Sequence, residues 1–462
     1  MGLTGTIARF ITETRFEDFP AKAVIAARHG IIDCVACMLA GSRQPLARPL
    51  LEFAMETGAG GAATVVGSAR RASVPMAALV NGAIGHALDY DDMTLYLKGH
   101  PSVVCLPPAL AMGEARNASG RDVMLAYMLA FEVSSAVGFG VSPAYGDDLG
   151  WHPTGPLGTL GAAAAAARLL GLNAEQTAMA VSLAASSAGG LRENFGTMAK
   201  PFHAGNAARA GVTAAMLIEK GLTAATTGLE GRFGFMHAYS GGAGYDLEKP
   251  LERLGKRFFL EQPGVELKKY PACGATSYPL DAMFSLLKSH EFGPHNVDSI
   301  EVRVDFDPPR ALIHSNPKSA LEGKFSMQYC IAAALVDGKV GLSQFEDTQV
   351  MRPEIRALLP KISMRRNPGH EGQPSWNEAL NEVHVQLKNG RRLSAALPRD
   401  FSGPVVGVTA DELDAKFLDC ATMVLRSSDA ESALSLLHRL EDQASLARLM
   451  EILGQDADKS MR

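Results

Sequence analysis

The chain of 462 residues is 47% hydrophobic and 20% charged, with a formal net charge of −5. This is ordinary globular composition without a disordered bias, in a chain longer than one hydrophobic core usually serves, so two or so domains are expected. A nucleic-acid partner is excluded, because neutralising phosphates needs a clustered basic surface and no run of five Lys or Arg occurs.

The first twenty residues carry acids early and lack a continuous apolar core, so no secretory signal is read there. Gly2 with Thr6 fits the short myristoylation pattern, which arises readily by chance. Residues 20–39 form a long predicted helix closed by Gly41. Cys34 and Cys37 inside it read as packing thiols rather than a metal or redox pair, since no second Cys or His pair stands near. Gly58-Ala59-Gly60-Gly61 follows no strand of a βαβ unit and is not a dinucleotide fingerprint. Helices are predicted over 77–90, 103–116 and 122–137, and Asn173 with Gln176 forms a capping box opening another, to about residue 187. The Ala-rich stretches 162–168 and 207–218 carry side chains small enough for close helix packing. The most apolar tract, 158–172, is broken by Arg168 and too short to span a bilayer, so no membrane partner is expected. Six cysteines are too sparse for a disulfide framework, and a cytoplasmic location follows.

Near Gly264 the pattern changes. Ile300, Val302, Val304 and Phe306 alternate with Glu301, Arg303 and Asp305, the signature of a half-buried strand. Val383, Val385 and Leu387 repeat it, Asn389-Gly390 supplies a hairpin turn, and residues 393–397 return. Helical segments over 279–289 and 325–335 complete an α+β unit of roughly 130 residues. From Thr409, which forms a capping box with Glu412, the helical pattern resumes.

Five segments carry residues suited to chemistry. In the first, NGAIGHALDYDDM, a helical reading places His86, Asp89 and Asp92 on one face, at the end of a helix whose dipole disfavours negative charge. The crowded acids need a cation, a proton or solvent, and the bland alternative is an exposed acidic loop. Asp-x-Asp-Asp also fits a magnesium–diphosphate site, but the second acid-rich motif such sites need is missing. In Lys98-Gly99-His100-Pro101-Ser102, a cation and an imidazole precede a Pro-initiated helix whose free N–H groups can receive a carboxylate. His152 stands in Gly150-Trp151-His152-Pro153 ahead of an Ala-rich helix. Lys200 and His203 open another helix in Gly196-Thr197-Met198-Ala199-Lys200-Pro201-Phe202-His203, although most lysines are simply exposed. Finally, Lys268, Lys269, Tyr270, Thr276 and Ser277 again place cations and hydroxyls before a Pro-led helix, with Cys273 read as packing.

The stretches NGAIGHALDYDD, GHPS, GWHPTGPLG, GTMAKPFHAGNAAR, KKYPACGATSYPLDA and KFSMQY, with a later Asp337-Gly338, resemble in order the MmgE/PrpD family of 2-methylcitrate dehydratases, cis-aconitate decarboxylases and iminodisuccinate epimerases. The resemblance implies a mainly α protein. Its large all-α domain would take residues 1–265 and 400–462 from both chain ends, and a smaller inserted α+β lid would take residues 266–399, with the site between them. It further implies a homodimer that uses no metal or organic cofactor. Carried over residue by residue, the catalytic groups are Asp89, His100, His152 and Lys200. The substrate-binding residues are Lys268, Lys269, Tyr270 and Ser277, with His86 in support. Two departures matter. Ser277 stands where the family has a further site histidine, and a serine hydroxyl does not titrate near neutrality. Met93 stands where the decarboxylases carry a threonine, with the spacing to His100 one residue longer. His203 and Tyr278 are the residues left to fill the gap.

The three reactions share charge developing on a carbon beside a carboxylate, which fixed cations, helix N-termini and a proton-carrying imidazole would manage. Dehydration of a 2-methylcitrate-like hydroxy-tricarboxylate is the first expectation. Epimerisation or decarboxylation of an iminodisuccinate- or cis-aconitate-like acid is the second, and a non-catalytic carboxylate binder the third.

Overall fold

The structure, a computed structural model, describes residues 2–368, 381–397 and 403–456. The predicted boundary between residues 399 and 400 lies outside them. The chain separates into two compact units, one of Met1–Asn194, Met198–Leu267 and Phe401–Arg462, the other of Phe195–Thr197 and Lys268–Asp400. Helices dominate, so the protein is mainly α with small sheets.

In the first unit the helices Ala21–Gly41, Val74–His86, Ser102–Ala115, Gly120–Gly140, Thr154–Leu170 and Ala199–Glu219 pack on one another. Ala21–Gly41 and Gly120–Gly140 are long and apolar enough to cross a membrane, yet 78% and 94% of their apolar windows are buried inside the protein. Their apolarity fills a core. Cys34 and Cys37 are both buried there, and burial pushes both thiols up. The capping boxes at Ser119, Asn173 and Thr409 each satisfy a free helix N–H, which is why those helices start where they do.

One crossing governs the site. Val74–His86 lies against Ala199–Glu219 so closely that a Cβ on Gly205 would come 2.1 Å from the Leu79 carbonyl oxygen. Only glycine allows that approach, and it brings the end of the first helix beside Lys200 and His203. The late helix Ala410–Ala421 packs on Ala21–Gly41, so the C-terminal segment belongs to the first unit.

Two pieces of sheet in this unit have no counterpart in the sequence reading. Ala59–Val65 pairs antiparallel with Arg70–Ala72, and Val265–Glu266 pairs parallel with Val405–Val406. Their strands are short and Gly- or Ala-rich, or only two residues long, leaving no period-two signal.

The second unit carries a four-stranded sheet. Val297–Val304 pairs parallel with Ile362–Arg366 and antiparallel with Asn381–Leu387, which pairs antiparallel with Arg392–Leu397. Ile300, Val302 and Val304 are buried as their alternation requires. Gly390 takes φ +85° in the predicted turn. Helix Ser277–Ser289 covers the last two strands and packs on Met327–Asp337.

Candidate active site

The helix carrying His86 stops at that residue. Asp89 adopts φ +51° and its N–H donates to the His86 carbonyl at 3.2 Å, so the chain turns out of the helix. The expectation of His86, Asp89 and Asp92 on one helical face is therefore corrected, because the acids lie on the loop that follows. The exposed-loop alternative fails too, since Asp89, Asp91 and Asp92 are at most 3% exposed. Tertiary partners outweigh the helix propensity of the Ala-Leu run.

Each acid has its own partner. Asp89 Oδ1 accepts from Lys200 Nζ at 2.7 Å, with His100 Nε2 at 3.5 Å. Asp91 stands between two imidazoles, 2.9 Å from His86 Nδ1 and 3.0 Å from His100 Nδ1. Asp92 accepts from the Ser102 N–H at 3.1 Å and the Ser102 hydroxyl at 2.6 Å. The helix N-terminus expected to receive a ligand's carboxylate thus receives the chain's own.

A tight turn returns His100 to the acids: Thr94 N–H donates to Gly99, Lys98 N–H donates to Thr94, and Lys98 takes φ +54°. The His100 N–H then donates to Thr154 Oγ1 at 3.1 Å. Met93 pairs both ways with Glu266, and the hydroxyl of neighbouring Thr94 donates to the Gly264 carbonyl at 3.0 Å. His152, just ahead of Thr154–Leu170, lies with its Nδ1 3.2 Å from His203 Nδ1. Its ring stacks near-parallel on His86 at 5.6 Å, and His86 lies 4.3 Å from His100, centroid to centroid.

The electrostatics follow from burial and from Lys200. Burial first, then the Lys200 charge and the His100 imidazole, hold His86 down at about 3 despite Asp91. The same causes hold His152 well below the ordinary imidazole value, and burial with Lys200 brings His203 to about 4. Burial alone would raise Asp91, but His100 and His86 outweigh it and keep the carboxyl well below its usual range. Asp92 goes the other way, raised by burial and by Asp33, with the Ser102 bonds offsetting only part. At neutral pH the pocket therefore holds a carboxylate at Asp91 and neutral imidazoles at His86, His152 and His203, while burial biases Asp92 towards its protonated form.

Donor atoms of His86, Asp89, Asp91 and His100 lie within 4.8 Å of one another, close enough to hold a divalent cation. The Lys200 ammonium already sits on Asp89, however, and a second cation there would have to displace it or share its charge.

Asp89, His100, His152 and Lys200 are thus brought together in the first unit. Lys200 is 4% exposed, against the expectation for most lysines. The other four predicted residues belong to the second unit. There Lys268 is buried and Lys269 exposed, and the Tyr270 hydroxyl donates to Asp281 at 2.6 Å. Ser277 opens the helix Ser277–Ser289. Lys324 ties down the preceding turn, donating through Nζ to the Pro271 carbonyl and accepting from the Cys273 N–H, both at 2.9 Å.

Sequence reasoning missed Lys416 and Asp33. Lys416 Nζ lies 2.6 Å from Asp33 Oδ1 and 3.6 Å above the Tyr90 ring, and donates to the Tyr90 carbonyl at 2.7 Å. This pins the acidic loop from the far end of the chain. An acid inside GIIDCVACMLAG was the available signal for Asp33, whereas nothing local marks Lys416.

The chain matches the family models for the MmgE/PrpD N-terminal domain over residues 5–248 and the MmgE/PrpD C-terminal domain over 270–442. It belongs to the MmgE/PrpD family. Among MmgE/PrpD relatives, cis-aconitate decarboxylase of Mus musculus is 31% identical over 386 residues, covering 82% of this chain and 78% of that protein. The Homo sapiens protein of the same name is 31% identical over 82% of this chain and 79% of its own length. Cis-aconitate decarboxylase of Aspergillus terreus is 25% identical over 98% of this chain and 96% of its own. These MmgE/PrpD relatives are enzymes by name, and the site groups found here stand in segments that the N-terminal family model matches.

Proposed function

We propose that this protein is a lyase, without metal or organic cofactor, acting on a small polycarboxylate by managing charge on a carbon beside a carboxylate. The observation that carries the reading is the enclosed meeting of Lys200 and Asp89 with two imidazole pairs, His86/His100 and His152/His203. A fixed ammonium stabilises a developing enediolate or carbanion, and a neutral imidazole moves the proton. Asp89 orients Lys200, and Asp91 orients His86 and His100.

Decarboxylation of a cis-aconitate-like acid is the first reaction to expect, because relatives aligned over most of the chain carry that name. Loss of carbon dioxide leaves a carbanion that takes one proton, and His152 or His100 supplies it. Dehydration of a 2-methylcitrate-like hydroxy acid is the second reading. It is favoured by the presence of two separate imidazole pairs, since removing water uses one base and one acid. Assay of carbon dioxide and of unsaturated product from a panel of both acid types distinguishes the two. Solvent exchange without net consumption would mean an epimerase, and a wild-type protein that leaves every acid unchanged would overturn the lyase reading.

A further inference from the structure

The Nδ1 atoms of His152 and His203 face each other at 3.2 Å. Two N–H groups cannot point at one another across that gap, so of two neutral rings one donates and the other accepts. The pair therefore has two matching tautomer states: a proton on His203 Nδ1 with His152 protonated at Nε2, or the reverse. Exchange between them carries a proton across the contact, since an imidazole can take a proton on one nitrogen and release one from the other.

The surroundings fit this use. Gly190 touches both residues: its carbonyl accepts the backbone N–H of His152 at 2.9 Å, and it takes φ +136° directly against the His203 ring. A Cβ on Gly190 would lie 3.1 Å from His203 Cγ, so the backbone there is shaped around the ring. His203 is 8% exposed against 2% for His152, so it is the member of the pair through which water can reach the other. The groups around the pair are Lys200, one turn earlier on the His203 helix, and His86 and His100 beyond His152. The Lys200 charge opposes a standing cation on either ring, which leaves tautomer exchange as the route.

Resting on the lyase reading above, we propose that His203 is the proton relay of this site, reloading His152 in each turnover through the Nδ1–Nδ1 contact. In the decarboxylation direction the carbon–carboxylate bond breaks and its electron pair stays on the substrate carbon. That carbon takes the proton from His152 Nε2, while His152 Nδ1 takes the proton of His203 Nδ1. His203 takes one from water at Nε2, which leaves the pair in the opposite tautomer state. Once the product has left, a solvent proton entering at His152 Nε2 and one leaving at His203 Nε2 reverse the exchange, so the net consumption is one solvent proton.

His203→Gln and His203→Ala test it on the full chain. Glutamine can keep a hydrogen bond to His152 but cannot pass a proton through. Both variants are expected to lose on the order of 10²-fold in kcat with KM nearly unchanged, the usual scale of general acid–base catalysis. Wild-type kcat in His203→Gln would mean His203 only holds His152 in place, and would overturn the relay. Independently of any activity, ¹⁵N-histidine NMR of the unliganded wild type is expected to show both His152 and His203 as mixtures of tautomers in matched populations. A single fixed tautomer in the wild type would overturn the relay even with the lyase reading intact. A wild type that turns over no polycarboxylate would overturn the lyase reading and leave the NMR result to decide the contact.

Discussion

Asp89 and Asp91 are two residues apart and do different work because they meet different partners. Asp91 is shared by two imidazoles, whereas Asp89 is matched to Lys200. Lys200 is thus a charge that keeps the neighbouring rings neutral, and in the proposed function it is also the cation that meets the substrate. Lys200→Met keeps the length of the side chain and removes the charge. It should lower kcat/KM by on the order of 10²–10³-fold, the scale seen when a transition-state charge loses a fixed partner. In NMR titration His86 and His152 should both move up towards the ordinary imidazole value. Unchanged titration and turnover would show that Lys200 is not part of the site. The sequence pointed to these residue types because acids crowded at a helix end and lysines before a proline are unusual. It did not tell which acid takes which partner, since that depends on a backbone turn at Asp89 that Ala-Leu propensity argues against.

A second residue sets a pH dependence. Glu132 is buried and accepts from the N–H groups of Phe259 and Leu260, at 2.9 and 2.8 Å. Burial raises its carboxyl to about 8, more than the two N–H bonds and Arg253 lower it. An acid raised in the folded state ionises first in the unfolded one, so its cost to stability is absent below the unfolded value and grows as pH rises towards 8. The melting temperature of Glu132→Gln minus that of the wild type should therefore increase between about pH 5 and pH 8. A difference that stays constant over that range would contradict the shift.

At the scale of elements, the site depends on where helices end and what holds the ends. Helix Ala410–Ala421 reaches the acidic loop through Lys416, with Asp33 of Ala21–Gly41 as its partner. Lys416→Met leaves Asp33 buried without that cation, and removing one partner of a buried pair costs about 3–5 kcal/mol. Denaturant unfolding should show the loss, and Asp33→Asn in the same chain should recover part of it. Equal destabilisation in the single and double variants would mean the two residues are not coupled. Helix starts were legible at Asn173 and Thr409, where a capping box marks them locally, whereas the box at Ser119 goes unread in a helix predicted to start at Asp122. The end of Val74–His86 was not legible, because the reason for stopping lies in Lys200, Lys416 and Glu266, each far along the chain. The short pairings at residues 59–72 and at 265–266 with 405–406 had no periodicity to read.

At the scale of the molecule, the mainly α class and the change of pattern near Gly264 were readable from hydrophobic periodicity, and the ordered motifs already resembled the family that the comparisons identify. Composition could not reveal that a unit made chiefly of small-residue helices would enclose four imidazoles, three carboxyls and an ammonium. That requires the close crossing at Gly205, and a glycine within a helical pattern ordinarily reads as a weakness. Once closed, the assembly excludes water from charged groups, which strengthens every interaction among them. Whether this enclosure moves a proton on a polycarboxylate is read by proton NMR of cis-aconitate-like and 2-methylcitrate-like acids with the protein in deuterated buffer. One acid class should be consumed with loss of carbon dioxide or water, deuterium entering any carbon that is protonated, and Lys200→Met should suppress both. Spectra unchanged by the wild type, or changed equally by the variant, would contradict this.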